Sequence, residues 1–533
     1  MDSHSHSPHP NHPDPVISTA PKDVGQWQMV EGTQFSGSPT HVALLHTNKI
    51  FAYGGSSLDK DKLTKPPSAE LLDLERMEIT AIDTDEIKGD LWCGGHTLLP
   101  DGRLLMVGGT SYYPKRLGLY GGLNQAYMFD PVSETWARLG DMQMGRWYPT
   151  LLRLPDNSIL TIGGLRDKFP EFWVRLQELY QDDQGWQAMA HKKLFPLYPR
   201  LHLLPDGDVF YSGVFNTHFF IPWAFPSALW QYQTKHWQPW GGKHTDKQRE
   251  EGISLLLALR PPDYKAEVLI AGGGQHNKFR IVLDLLNQYG AAKLVARLPH
   301  NQALASVERI DLSQENPTWQ RDSTMRSPRI HAVGVLLPDG QVLAVGGMSH
   351  HSHYTTREDF ENKDMADQMG VLHAELYNPE TRTWSWMAPQ MRPRLYHSTA
   401  LLLPDGRVIS MGSNPYSGVI EKSIEIYSPP YLCRGDRPVI IECPSQITYN
   451  QAFTLHVNQS RQISQIVLMR LEVLTHVTNT DQRLLALGFK VLGDDSLEVQ
   501  GPLKTAHMPQ GYCLLFVLNN DGVPSIGKFI KIV

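Results

Sequence analysis

The sequence is poor in cysteine, has no long apolar run and carries no excess of basic charge. Its four cysteines (Cys93, Cys433, Cys443 and Cys513) are too few for a disulfide scaffold in 533 residues. No C-x-x-C is present, which argues against a zinc ribbon or a thioredoxin-like site. Cys433 and Cys443 lie ten apart and form a candidate pair in an oxidising compartment, whereas Cys513, in GYCLLFVL, reads as a buried strand residue. No stretch reaches the roughly 18 apolar residues that span a membrane, so no membrane partner is expected. The net charge of −6 and the lack of a Lys/Arg run point away from nucleic acid. The start, MDSHSHSPHPNHPDPVISTAPKD, lacks the apolar segment of a signal peptide. Residues 1–22 are expected to be a disordered tail, its His4, His6, His9 and His12 simply solvated.

Turn residues are plentiful, with 43 glycines and 38 prolines, as suits an all-β chain. A strand–turn–strand–Gly-Gly unit recurs seven times: LLHTNKIFAYGG at 44, LLPDGRLLMVGG at 98, RLPDNSILTIGG at 153, LLPDGDVFYSG at 203, LLALRPPDYKAEVLIAGG at 255, LLPDGQVLAVGG at 336 and LLPDGRVISMGS at 402. The first four copies start 54, 55 and 50 residues apart. A period near 50 with this core is the kelch signature. Some copies add a Pro-to-Trp segment, as in MFDPVSETW ending at Trp136 and LYNPETRTW ending at Trp384. One blade cannot bury both its faces, so seven copies predict a seven-bladed kelch-type β-propeller over residues 23–427. Beyond YSPPYLC the repeat stops, and residues 428–533 read as an immunoglobulin-like β-sandwich.

Counting seven residues back from the turn proline reaches Cys93, Tyr148, Tyr198, His331 and His397 in five copies. Equivalent positions in a radial fold point to one place near the axis. Thiol, phenol and imidazole there are not what packing alone needs, and Tyr396 adds a further donor. Tyrosine and histidine together favour Cu(II) with mixed N and O ligands over zinc or calcium. His476, in LEVLTHVTNTDQR, is a ligand that a loop of the second domain can deliver to the axis.

The stretches WCGGHTLLPDGRLLMVGG, GRWYPTLLRLPDNSILTIGG, RPRLYHSTALLLPDGRV, LTHVTNTDQR and LNNDGVPSIGKFIKI closely resemble the copper radical oxidases, the family of galactose oxidase and the glyoxal oxidase-like enzymes. The resemblance runs from about residue 24 to the end. It implies one copper ion per chain, ligated by Tyr148, Tyr396, His397 and His476. It also implies a radical cofactor in which Cys93 is thioether-linked to Tyr148, with Tyr396 as general base. Arg329, in SPRIH, matches a substrate-binding arginine. The implied substrate is a small alcohol, aldehyde or carbohydrate, with O2 as acceptor, H2O2 as product and a monomeric enzyme. One departure stands out. Galactose oxidase carries a shielding tryptophan two residues past the second Gly-Gly, but Gly163-Gly164 is followed here by Leu165 and Arg166. Trp147 and Trp173 are the candidates to take its place, and the change speaks against galactose more than against the redox chemistry. The family is mostly extracellular, which the start of this chain does not echo, so the compartment stays open. Competing readings are a non-catalytic propeller that binds a protein or glycan, and a copper store or sensor. The insertion at 348–370 carries His350, His351 and His353, read as part of a solvated rim loop.

Overall fold

The computed structural model describes residues 18–55, 68–112, 121–166, 172–215, 226–245, 249–275, 301–351, 369–415 and 420–533. Strands dominate, and among the described residues no helix is long and apolar enough to cross a membrane. Each sequence repeat forms the two inner strands of a four-stranded antiparallel meander, and seven such sheets are present among the described residues. In the second sheet the strands Gly95–Leu98, Leu104–Val107, Ala126–Asp130 and Thr135–Arg138 lie side by side in that order. The Pro-Asp-Gly turn has a local cause. The carboxylate of Asp101 accepts the amide N–H of Arg103, and the same bond recurs at Asp339–Gln341 and Asp405–Arg407. Such Asx turns reverse the chain without help from a partner strand.

The first strand of each repeat sits innermost. His41–Leu44, Gly95–Leu98, Thr150–Arg153 and Thr399–Leu402 are buried at every residue. A strand covered on both faces loses the alternation of a half-exposed one, so LLL and LLR runs replace it. First strands of successive sheets touch: second with third, third with fourth, fifth with sixth, sixth with seventh, and seventh with first. The seventh sheet takes its outer strand from the other end of the chain, because Gln26–Gln34 pairs antiparallel with Ser423–Ser428. Residues 21 and 22, expected to lie in the N-terminal tail, form part of a structured segment. Pro21–Val24 is already a helical turn, ending where Tyr427 donates its hydroxyl hydrogen to the Val24 carbonyl. His4, His6, His9 and His12, like His353, lie outside the described residues. His350–His351 form a short strand paired with Asn301–Gln302.

The C-terminal region contributes two sheets that share one apolar core, including Ile440, Leu455, Val457, Ile466, Leu468, Leu497, Leu515, Val517 and Ile530. One of its strands leaves that core. Val473–Thr475 pairs antiparallel with His41–Leu44 and touches the first strands of the second and seventh sheets. All four cysteines are free thiols, with Cys93 and Cys513 buried and Cys433 exposed.

Four sheets share a second device that the repeat count did not reveal. Arg146–Glu178, Arg249–Glu308, Arg329–Glu375 and Arg394–Glu425 are fully buried ion pairs of 2.6–2.8 Å. Each arginine comes just before the first strand and meets a glutamate on the third strand of its own sheet. It also donates to the carbonyl of a glycine after the second strand: Gly163, Gly272, Gly346 or Gly412. Removing one partner leaves an uncompensated buried charge. Glu308→Ala is therefore expected to lower stability by about 3–5 kcal/mol, read as the shift of the urea unfolding midpoint. A change below about 0.5 kcal/mol, the range of an ordinary surface substitution, would show that the pair is not needed.

Candidate metal centre

The residues just ahead of the first strands adopt an unusual backbone. Cys93, Tyr148, Tyr198, Glu251, His331 and His397 all have positive φ, between 42° and 65°. Left-handed geometry at a side chain larger than glycine costs about 1–3 kcal/mol and persists only where the surroundings over-determine it. Here bonds between successive sheets do so. The Tyr148 amide donates to the Cys93 carbonyl (2.8 Å), the Tyr198 amide to the Tyr148 carbonyl (3.0 Å) and the His331 amide to the Glu251 carbonyl (3.1 Å). The left-handed corner turns each side chain out of its sheet. Glycine follows the same logic at the other end of the hairpin. A Cβ on Gly108 would lie 2.3 Å from the Arg146 carbonyl, and one on Gly109 would lie 2.2 Å from that of Asp90.

The corner residues expected from the repeat meet the expected histidine of the C-terminal region. The hydroxyls of Tyr148 and Tyr396 are 2.7 Å apart. The ring of Tyr396 stacks on His397 at 3.7 Å, and the His476 ring lies 4.5 Å from His397 and 4.7 Å from Tyr148. The Cys93 sulfur is 3.7 Å from His476 Nε2. His476 reaches this place because Val473–Thr475 joins the first sheet, and His476 and Val477 then turn with φ of 47° and 61°. Arg200 clamps that turn by donating to the carbonyls of His476 and Tyr198.

Second contacts fix the rings. Nδ1 of His397 donates to the Asn414 carbonyl at 2.8 Å. A carbonyl only accepts, so the proton sits on Nδ1 and Nε2 keeps its lone pair. That Nε2 is buried with no hydrogen-bond partner. Burial holds the His397 pKa down at about 3 and pushes those of the Cys93 thiol and the Tyr148 and Tyr198 phenols well up. Burial thus disfavours the charged form of each of these four groups. An orphaned imidazole nitrogen, a second imidazole and two facing phenols fit a cation with mixed N and O donors, because its charge offsets that of a phenolate in a site with little water. Among the described residues no cluster of three His, Cys, Asp or Glu side chains can hold a metal, so the donor set depends on the tyrosines.

Trp147 stacks on Tyr148 with centroids 3.8 Å apart and planes 13° from parallel, and Tyr198 stacks on it at 4.4 Å and 30°. Two rings at these separations cannot share one face, so they flank Tyr148 on opposite faces. Leu165, in the stretch that lacks the shielding aromatic, exchanges both backbone hydrogen bonds with Trp147. Of the two candidates, Trp147 holds the stacked position, and Trp173 is joined to Leu165 through the backbone.

Arg329 is placed elsewhere. It is fully buried, paired with Glu375 at 2.6 Å and bonded to the carbonyls of Gly346 and His373. It belongs to the four-fold ion-pair device of the sheets. Glu251 is the corner residue the sequence reading missed. The fifth repeat has a longer turn, ALRPPDYKAE, so counting from its proline fails. Counting two residues back from the first strand, Ile253–Leu256, finds it. Its carboxylate lies 3.1 Å from His331 Nδ1.

The family description "Glyoxal oxidase N-terminus" matches residues 69–431. The chain belongs to the glyoxal oxidase family. A second description, "Galactose oxidase-like, Early set domain", matches residues 437–532. Among curated relatives of this glyoxal oxidase-family chain, the aldehyde oxidase GLOX of Vitis pseudoreticulata is 28% identical over 87% of this chain and 85% of its own. The galactose oxidase of Gibberella zeae is 23% identical over 96% of this chain and 67% of its own. A solved fungal alcohol oxidase in complex with copper shares the fold, with a TM-score of 0.76 at 22% identity over 96% of this chain and all of the other.

The placement of Arg329 has a measurable consequence. Arg329→Met is expected to lower stability by about 3–5 kcal/mol while the KM of the folded fraction stays unchanged. A raised KM at unchanged unfolding midpoint would return Arg329 to substrate binding.

Proposed function

We propose that this protein is a mononuclear copper radical oxidase that converts a primary alcohol or an aldehyde with O2 to the aldehyde or acid and H2O2. The observation that carries the proposal is the convergence of Tyr148, Tyr396, His397 and His476 beside the Cys93 thiol. In this reading the seven sheets are the blades of a kelch-type propeller over residues 23–427. Residues 428–533 are an immunoglobulin-like sandwich that delivers the last ligand, and the enzyme acts as a monomer. The name of the Vitis relative, an aldehyde oxidase, favours an aldehyde over a sugar.

Tyr148, Tyr396, His397 and His476 would hold the copper. When bound, copper takes one of the two electrons and acidifies the substrate hydroxyl. The remaining work falls to the chain. Tyr148 and Cys93, joined by a thioether bond and in the radical state, would take the second electron as part of a hydrogen atom from the substrate carbon. A sulfur substituent lowers the oxidation potential of the phenol ring, which is the reason for a thiol at this register. Tyr396, half-buried where Tyr148 is closed in, accepts the hydroxyl proton as general base. Trp147 covers one face of Tyr148 and keeps water and reductants from it. Atoms balance as RCH2OH + O2 giving RCHO + H2O2; an aldehyde enters as its hydrate and leaves as the acid.

Aerobic copper loading of the purified protein is expected to remove two hydrogens, mapped by peptide mass to a bond between Cys93 and Tyr148. Cys93→Ala should bind copper without that change and yield no peroxide. Tyr396→Phe should keep the bond but lower kcat by about 10²–10⁴-fold, the usual contribution of a positioned base. An unmodified Cys93 after full copper loading would overturn the mechanism.

A further inference from the structure

Three arginines are buried together where the third sheet meets the C-terminal region. Arg153 ends the strand Thr150–Arg153, Arg470 ends Ile463–Arg470, and Arg483 comes just before Leu484–Leu487. They are 2%, 5% and 5% exposed. Direct contacts tie them to one place. The Arg470 amide donates to the Arg483 carbonyl at 3.1 Å. Arg470 lies opposite Cys513, two residues from Gly511, and a Cβ on Gly511 would lie 3.3 Å from Arg153 Nη1. The Thr480 hydroxyl donates to the Leu151 carbonyl, on the strand of Arg153, at 2.5 Å. The next residue, Asp481, pairs with Arg470 at 2.5 Å.

The charges do not balance. Asp481 is the one carboxylate that pairs with any of the three among the described residues, and it also accepts from the Thr97 hydroxyl at 2.7 Å. Arg483 donates to the carbonyls of Leu203, Ala506 and His507, which satisfy its N–H groups but carry no net charge. Glu472, a second buried carboxyl of this segment, bonds to the amides of Asn479 and Gln482 instead. Arg153 has less still: among the described residues, its buried Nε and Nη1 find no acceptor. Burial, and after it the nearby charge of Arg470, holds the Arg153 pKa down at about 9, still high enough to keep the guanidinium charged at neutral pH. A buried cation without a counter-charge is costly, and a bound anion removes that cost.

We propose that Arg153 and Arg470 bind a small monovalent inorganic anion, a halide such as chloride, at the junction of the third sheet and the C-terminal region. Gly511, with a φ of 116°, carries no side chain to cover Arg153 Nη1. The space it leaves is narrow, because the Pro100 Cα would lie 3.2 Å from a Cβ there. That suits a spherical ion better than a tetrahedral oxyanion, and a monovalent ion gives up less hydration on entry than a divalent one. The site uses none of the residues assigned to copper, so it stands whether or not the oxidase reading does. Its role is to join the C-terminal region to the first strands of the second and third sheets, where Thr97 and Leu151 already meet Asp481 and Thr480.

The test is the urea unfolding midpoint of the full chain, dialysed free of halide and titrated with sodium chloride against sodium gluconate at constant ionic strength. A ligand that binds only the folded state raises the midpoint, so the wild-type midpoint is expected to rise with chloride and then level off. Arg153→Met keeps the length of the side chain without its charge and should show no such rise. Arg461→Met, at an exposed arginine of the same region paired with Asp494, should respond to chloride as wild type does. Crystals of the wild-type chain soaked in sodium bromide should show an anomalous peak beside Arg153 Nη1, which decides the matter even if Arg153→Met fails to fold. A wild-type midpoint that follows ionic strength alone would overturn the proposal, and so would an equal chloride response in Arg153→Met. A water with no anomalous signal beside Arg153 would overturn it as well. A bromide peak without the saturable rise in solution would mean an adventitious ion only, and would also overturn it.

Discussion

The left-handed corner ahead of each inner strand is the constraint on which the centre depends. In six of the seven sheets it is occupied by a residue larger than glycine, and each such conformation is unfavourable alone. Bonds from one sheet to the next hold these corners, as from Tyr148 to Cys93 and from Tyr198 to Tyr148. Buried Arg–Glu pairs fix the chain just before them in four sheets. Strain at the corners and rigidity behind them belong together, because the corner is what turns a strand-forming residue toward the axis.

That arrangement also sets the electrostatics. Burial disfavours the charged forms of the Cys93 thiol, the Tyr148 and Tyr198 phenols and the His397 imidazole. The hydrogen bond to the Asn414 carbonyl commits His397 to presenting a lone pair before any ion arrives.

Much of this was legible in the sequence, for a definite reason. The hairpin turn is rigid and of constant length in most repeats, so a fixed count from its proline finds Cys93, Tyr148, Tyr198, His331 and His397. Where the turn lengthens, the count loses Glu251. Arg329 shows the opposite limit. Arg-x-His reads alike whether the guanidinium faces a substrate or a glutamate on the third strand, and the pairing with Glu375 across the sheet is not visible from it. The stacking of Trp147 and Tyr198 on Tyr148 was not readable for a similar reason. Ring overlap depends on how neighbouring sheets meet, and no periodicity within one repeat encodes that.

The donors come from far apart along the chain. Cys93 and His476 are 383 residues apart in sequence and in contact in space, and the seventh sheet is completed by the first strand of the chain. A nascent chain still lacking its C-terminal region has the corners of the sheets but not His476, and it cannot assemble the centre. Contacts of such sequence separation also form slowly. Metal capture is thereby placed after synthesis and after both ends of the chain have docked, so an intact centre certifies that the whole polypeptide has folded before any reactive chemistry becomes available to it.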